Sequence, residues 1–289
     1  MRYDFIRQQM KAYPVTVLCR VMQVSRSGFY DYCRHYQDRS NDPTQQALES
    51  RIKSIFKESK GTYGSRRILE KLKAEGHHIG RYRVRSLMRK LQLKAKTPKR
   101  YKVTTDSNHS YSVAPNLVNR QFNVDAPNKL WTTDITYLWT MEGWLYLAVV
   151  LDLFSRQVVG WAMDKHMKVQ LALDALAMAY WRRKPAPGLI HHSDRGIQYA
   201  CDQYQRQLEQ YKMIPSMSRK GDCWDNAPTE RFFRSLKHEH LLSRRLATRE
   251  TAKIETLEYI TFYNVDRLHS KLGYKSPMEF EQIELLKVA

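Results

Sequence analysis

Cysteine is almost missing from this chain: Cys19, Cys33, Cys201 and Cys223 are the four in 289 residues. None belongs to a CxxC pair, and their spacing fits no zinc framework. Four unpaired thiols suit a reducing cytosol rather than a disulfide-built secreted scaffold. Long apolar runs are missing too. The longest, Leu145 to Leu151, is too short to span a bilayer and is followed at once by Asp152. The opening MRYDFIRQQMKAY has no apolar signal-peptide core. There is no Walker-type glycine loop, which argues against ATP use, and no GxSxG or activated Cys that would point to a nucleophilic enzyme. Acidic charge is the scarce sign, with 29 Asp and Glu against 49 Lys and Arg, a net charge of +20. An excess of this size points to a polyanionic partner.

The excess is concentrated. Residues 51–102 hold 18 Lys and Arg against 3 Asp and Glu. Upstream, Val17, Leu18, Val21 and Met22 recur at helical spacing. Ser25 and Ser27 then offer capping chemistry for a second helix carrying Phe29, Tyr30 and Tyr32. That fits a helix-turn-helix, with a plain helical hairpin as the alternative. The polar, Pro43-containing stretch 36–46 reads as a linker. A second module follows: a helix with Ile52, Ile55 and Phe56, a second capped by Ser65 and stopped by Gly76, and a third with Val84, Leu87, Met88 and Leu91 at core spacing. Arg66, Arg67, Arg81, Arg85, Arg89 and Lys90 are its candidate DNA contacts, reaching either phosphates or guanine edges. Lys99 and Arg100 extend the set into a basic, Pro-containing linker that can track a DNA backbone.

At Lys129 the pattern changes. Residues 130–140 alternate as a strand, 144–154 form a buried strand, and 157–163 a third. A helix over 169–183, a strand at 189–194, a helix at 202–212, a strand at 213–218 and a helix after Asp225 complete a mixed α/β pattern. The tail, 251–270, is a further amphipathic helix. The expected domains are 1–46, 47–96, a linker 97–127, a core 128–245 and a tail 246–289.

Three acids stand out. Asp134 lies inside a strand, where Asp is disfavoured and must find a partner. Asp194 closes a strand, where ligand sites gather in α/β sheets. Glu230 follows it after 35 intervening residues, near a helix N-terminus that favours negative charge. On that helix Arg234 and Lys237 share the side of Glu230, and Phe232, Phe233 and Leu236 take the other. Carboxylates suit hard divalent cations. Two such ions about 4 Å apart are a known device for in-line displacement at phosphorus. With 29 acids available the spacing alone decides little. Asp152 competes for a metal role, Asp222 and Asp225 read as turn and cap residues, and His191 and His192 read as strand packing.

The stretches WTTDITY, HSDRGIQY and DNAPTERFFRSLKHE, with Lys237 seven residues after Glu230, and the ending FYNVDRLHSKLGYKSPMEF resemble the DDE transposases of insertion sequences. More narrowly, they resemble OrfB products of the IS-three family, relatives of retroviral integrases. The resemblance spans nearly the whole chain. It implies an RNase H-like core, a mixed five-stranded sheet with flanking helices, behind all-α helix-turn-helix modules. It implies that Asp134, Asp194 and Glu230 bind two Mg²⁺ (or Mn²⁺) ions and catalyse DNA cleavage and strand transfer without a covalent protein–DNA intermediate. The integrase zinc module is not matched, so no zinc is expected. The implied partners are transposon-end and target DNA, further copies of the chain on that DNA, and an upstream OrfA product or an OrfA–OrfB fusion. No sustained leucine heptad is present, so this chain is expected to be only the catalytic part, or a version that assembles through other contacts. A bacterial, cytoplasmic, nucleoid-associated setting follows, with no membrane partner. A DNA-binding regulator with an inert core, and a plain nuclease, are the competing readings. Four intact residues (Asp134, Asp194, Glu230, Lys237) argue against the first, and the tandem basic modules against the second.

Overall fold

The computed structural model describes residues 2–40, 43–96, 111–219, 223–242 and 244–287, the side chains of 35–40 and Cys223 excepted. Lys99, Arg100 and Asp222 lie outside the described residues. The chain divides into two compact units, Met1–Lys94 and Ala95–Ala289.

The first unit holds six helices among its described residues: α1 (Arg2–Gln9), α2 (Val15–Val21), α3 (Arg26–Ser40), α4 (Pro43–Glu58), α5 (Ser65–Ala74) and α6 (Arg81–Lys90). Ile6, Leu18, Cys19 and Phe29 form a small core under α1–α3. The Ser25 hydroxyl caps α3, accepting from the Gly28 N–H at 3.0 Å. Two expectations need correcting. The supposed linker 36–46 is largely helical, because α3 runs to Ser40 and α4 restarts at Pro43, where the missing N–H costs nothing. Ser65 is the first helical residue of α5, and the cap position falls to Gly64 with no side-chain hydrogen bond. Lys90, a DNA-contact candidate, stays exposed while pairing with Glu49 at 2.7 Å, which leaves that expectation neither met nor overturned. Gly76 does end α5: at φ +85° it lets the His77 N–H reach back to the Leu72 carbonyl.

The second unit is built on one sheet, β1 (Leu130–Thr140), β2 (Gly143–Asp152), β3 (Val158–Asp164), β4 (Ile190–Ser193) and β5 (Ile214–Met217), in the order β3-β2-β1-β4-β5. The first three are antiparallel, and β4 and β5 run parallel to β1. This is the mixed RNase H-like sheet that the resemblance implies. The continuous apolar run in β2 reflects burial on both faces. Leu145, Leu147, Val149 and Leu151 face Phe232, Phe233 and Leu236, with Tyr259 and Tyr263 behind them. Ala148 and Val150 pack with α7 (Val169–Arg183) and α9 (Asp202–Gln210). A short α8 (Ile197–Ala200), absent from the sequence reading, follows Gly196. Behind β5 come α10 (Ala227–Ser235), a π-helical turn over Leu236–Leu241, α11 (Arg249–Val265) and α12 (Pro277–Leu286). No helix among the described residues is long and apolar enough to cross a membrane.

The join of β3 to α7 is tight. A Cβ at Gly160 would stand 2.3 Å from the Ala175 carbonyl oxygen and 2.7 Å from the Ala179 Cβ. Backbone cannot swing aside as a flexible side chain would, so Gly160→Ala is expected to cost about 1–3 kcal/mol, the usual range for overpacking. The urea midpoint measures it, and an unchanged midpoint would mean that α7 yields freely.

Candidate active site

Strand register sets the first two acids side by side. In the parallel pair, Leu130 faces Ile190, Trp131 faces His191 and Thr132 faces His192. Carried two residues further, the same offset brings Asp134 level with Asp194, just beyond the last paired residue. Asp194 leaves the strand in a tight loop: its Oδ1 accepts the Gly196 N–H at 2.9 Å. A Cβ at Gly196 would sit 3.0 Å from that oxygen, so the glycine permits the turn. Asp134 accepts from the Ile135 N–H at 2.7 Å.

The third acid arrives on α10, which is tied to β1 immediately before Asp134. The Asn226 Nδ2 donates to the Thr133 carbonyl at 3.0 Å, and the Thr229 hydroxyl donates to Thr132 Oγ1 at 2.7 Å. Phe232, Phe233 and Leu236 are buried, Glu230 and Lys237 are half-buried, and Arg234 is exposed. The expected split of this helix into a buried apolar side and a more exposed polar side is therefore present. The π turn begins at Leu236, where a wider helical turn is often found beside functional sites.

Electrostatics binds the group together. Burial, then the charge of Asp194, then that of Glu230 push the Asp134 carboxyl well above its ordinary range. Burial and Asp194 raise Glu230. Burial lowers Lys237, while Asp134 works in the opposite direction. The Lys237 ammonium lies 4.9 Å from the centre of the Tyr137 ring. Asp194 and Glu230 both disfavour ionisation of Asp134, and Asp194 disfavours that of Glu230, so the group is acidic on balance. Their donor atoms do not close to within 4.8 Å as a group of three, as those of His240, Glu255 and Glu258 do. Hard cations that also take substrate oxygens suit an all-carboxylate set of this kind.

The sign of the resulting pH dependence is fixed. Asp134 binds its proton more tightly folded than unfolded, so folding stability falls as pH rises from the ordinary carboxylate range through the raised value. Without divalent ions, Asp134→Asn is expected to gain over wild type as pH rises above the ordinary carboxylate range. Urea midpoints in chelator test this, and parallel profiles would refute it.

Other candidates have structural duties. Asp152 is buried and accepts from the Asn128 N–H (2.8 Å), the Phe154 N–H (3.0 Å), the Trp131 indole (3.3 Å) and Arg183 (3.4 Å). It has no part in the site. Burial drives His191 down to about 3 and His192 to about 4, so both are neutral. His191 meets the Tyr204 hydroxyl, and His192 meets Ser216 and Ser218.

Asp225 corrects the sequence reading most. It is no cap: its carboxylate collects the Arg219 N–H at 2.9 Å, the Arg219 guanidinium at 3.0 Å, Arg120 at 3.1 Å and Asn116 at 2.8 Å. Arg219 and then Arg120 hold it well below the usual carboxylate range. Asn226 stands at the cap position of α10 without a side-chain cap bond. These residues, with Thr132 and Thr229, were missed as positioning groups.

In the helical unit, Arg66, Arg81, Arg85 and Arg89 are exposed, and Arg67 lies over the Tyr63 ring at 5.3 Å. Tyr82, 87% exposed, stands three residues before Arg85 and was not anticipated as a surface group.

Residues 43–101 match an HTH-like domain. Residues 124–223 and 211–277 match integrase core domains, the second including Glu230. The transposase InsF for insertion sequence IS3A of Escherichia coli K12 is 40% identical over 99% of this chain and 100% of its own length. The chain belongs to the IS3 transposase family. Another similar protein is the IS600 31 kDa protein of Shigella sonnei, 43% identical over 92% of this chain and 97% of its own length. The HTLV-2 integrase catalytic core domain in complex with magnesium aligns more loosely, at 18% identity over 54% of this chain and 97% of that chain, with a TM-score of 0.43. The IS3 family resemblance read from the sequence is thereby established, and polynucleotidyl transfer is the general activity that the family carries.

Proposed function

We propose that this protein cuts and joins DNA at insertion-sequence ends, with Asp134, Asp194 and Glu230 as its catalytic carboxylates and Mg²⁺ (or Mn²⁺) as its cofactor. The observation that carries the reading is the mutual electrostatic strain of the three acids on elements fixed by strand register and by the Asn226 and Thr229 bonds. The all-oxygen donor set fits hard divalent cations. When bound, such ions stabilise charge on the attacking and leaving oxygens at phosphorus.

The reaction has two displacements. Water attacks the phosphorus at an element end, its oxygen forming the new P–O bond while the bond to O3′ breaks. This leaves a 3′-hydroxyl and a 5′-phosphate. That hydroxyl then attacks a second phosphodiester, whose own 3′-oxygen departs. Lys237, half-buried beside Asp134, and the exposed Arg234 meet phosphate oxygens flanking the reacting one. The exposed arginines of α5 and α6 hold the DNA, and further copies of the chain and an upstream OrfA segment complete the working assembly.

The purified protein, supplied with its upstream OrfA segment and given a duplex carrying its own element end, is expected to release a 3′-hydroxyl strand in Mg²⁺ and to lose that activity in chelator. Cleavage that persists without divalent ions, or no cleavage by protein that binds the duplex, would overturn the reading.

A further inference from the structure

The β1–β2 hairpin reaches well past the acids. Strand β4 pairs only with Leu130–Thr132 of β1, so beyond Asp134 that edge of β1 has no strand beside it among the described residues. On this extension Trp139 sits directly across from Trp144, ring centres 4.7 Å apart and edge to face, and Tyr137 meets Trp144 the same way at 5.0 Å. Lys237 stands over Tyr137 and beside Asp134. Asp134, across from Val149, and the aromatic group, with Tyr137 across from Tyr146 and Trp139 across from Trp144, lie on opposite faces of the hairpin, and Lys237, which feels the charge of Asp134 and stands over Tyr137, links the two across the unpaired edge. The outer end of the aromatic group is open to solvent, with Trp139 61%, Met141 62% and Trp144 42% exposed.

A cross-strand aromatic pair helps to hold a hairpin, but that duty does not require two tryptophans and a methionine left facing water, where their apolar surface is unfavourable. The tip is also immobilised. The Met141 N–H donates to the Leu246 carbonyl at 3.1 Å. The Arg249 N–H donates to Glu142 at 2.9 Å, and the Arg249 guanidinium donates to the Trp144 carbonyl at 3.0 Å. Fixed, exposed aromatic rings flanked by Lys237 and Arg249 have the composition of a platform for unpaired nucleobases, which bind by ring stacking while cations hold the backbone. The positive flank suits a polyanion and repels a second copy of a chain with net charge +20. Paired bases inside a duplex have their faces covered, so the base taken up must be unstacked. The strand held at the acids, next to the bond being broken, is where such a base is available.

We propose that Trp139 and Trp144 stack on an unpaired base of the element-end strand held at the acids. The five residues from Asp134 to Trp139 span about 16 Å of strand, which is roughly five nucleotide steps of a B-form strand. The stacked base lies across the hairpin edge, at least that far from the scissile phosphate. This rests on the transposase reading, and it adds a DNA contact that holds the end open beside the site.

The test uses the full chain and end duplexes that are either fully paired or forked next to the cut. Trp139→Ala and Trp144→Ala are expected to weaken binding of the forked end about tenfold, the scale of one lost stack. Trp139→Phe should recover most of it, and binding to an internal duplex should stay the same. In the wild-type chain, 5-iodo-deoxyuridine placed at each of the first positions from the cut is expected to photocrosslink to Trp139 or Trp144 from the end strand, a readout independent of how the variants fold. Unchanged forked-end binding in both alanine variants, an equal loss on the internal duplex, crosslinks from target DNA alone, or loss of self-association in place of DNA binding would each overturn the proposal. Wild-type protein that cuts its end normally alongside any of these results leaves the transposase reading standing. Wild-type protein that neither binds nor cuts its end removes both.

Discussion

Asp194→Asn is expected to abolish Mg²⁺-dependent cleavage and strand transfer, by at least about a thousandfold, while end-DNA binding stays within about twofold of wild type. Asparagine keeps the shape of the side chain, and its carbonyl oxygen still accepts the Gly196 N–H that shapes the loop. What disappears is one negative charge of three that act on one another. Several kcal/mol of charge stabilisation at phosphorus depend on such a ligand, and each 1.36 kcal/mol is a factor of ten in rate. DNA binding draws on cations spread over the surface, which this change leaves in place. The measurement is a strand-transfer assay on labelled end duplexes beside a binding titration. Full strand transfer by the variant would remove Asp194 from the catalytic set, and loss of binding in parallel with activity would show damage to the fold instead.

The second large effect is expected at Asp225. Asp225→Ala should lower stability by about 2–4 kcal/mol, at the lower side of what breaking a buried ion pair costs, because both guanidinium partners keep about half of their surface in water: the Arg219 and Arg120 side chains are 48% and 47% exposed. Solvent screens the charges left behind. The loss has a pH signature. The folded carboxyl is held below its unfolded value, so its contribution is present above the ordinary carboxylate range and fades as pH falls through the folded value. The gap between variant and wild-type urea midpoints should therefore be full near neutral pH and shrink in strong acid. Activity should also drop at least about tenfold at temperatures where the variant is folded, because Asp225 adjoins Asn226, the residue that pins the start of α10 to β1. A variant with wild-type stability, or one whose deficit stays constant into acid, would contradict this account.

The parts legible in the sequence are those written in a local period. The alternation at 130–140 and the helical spacing at 169–183 gave elements with the observed bounds, β1 and α7. The two-sided character of α10 was legible because one helix carries both its acid and its apolar residues. The Asp225 cluster was not, since its partners Asn116, Arg120 and Arg219 come from other segments, as far as 109 residues away. An aspartate followed by Asn-Ala-Pro at a helix start reads locally as a cap, and only tertiary structure brings two guanidinium groups to it. The continuation of α3 through 36–40 was missed because polar composition was taken for a linker, although a polar helix end gives the same pattern. The π turn at Leu236–Leu241 leaves no local signal that was recognised.

The pairing of β1 with β4 has a consequence for how this core tolerates changes in chain length. Asp134 and Asp194 are neighbours through a hydrogen-bonded ladder, so the length of chain looping out between them is unconstrained by their alignment. The connection 184–189, which carries left-handed residues at Lys184 and Gly188, is a place where residues can be added or removed while the two carboxylates stay level. One residue inserted between Thr132 and Asp134 does the opposite. It turns the Asp134 carboxylate to the other face of the sheet, away from Asp194, by a shift of a single position that leaves the apolar core in place.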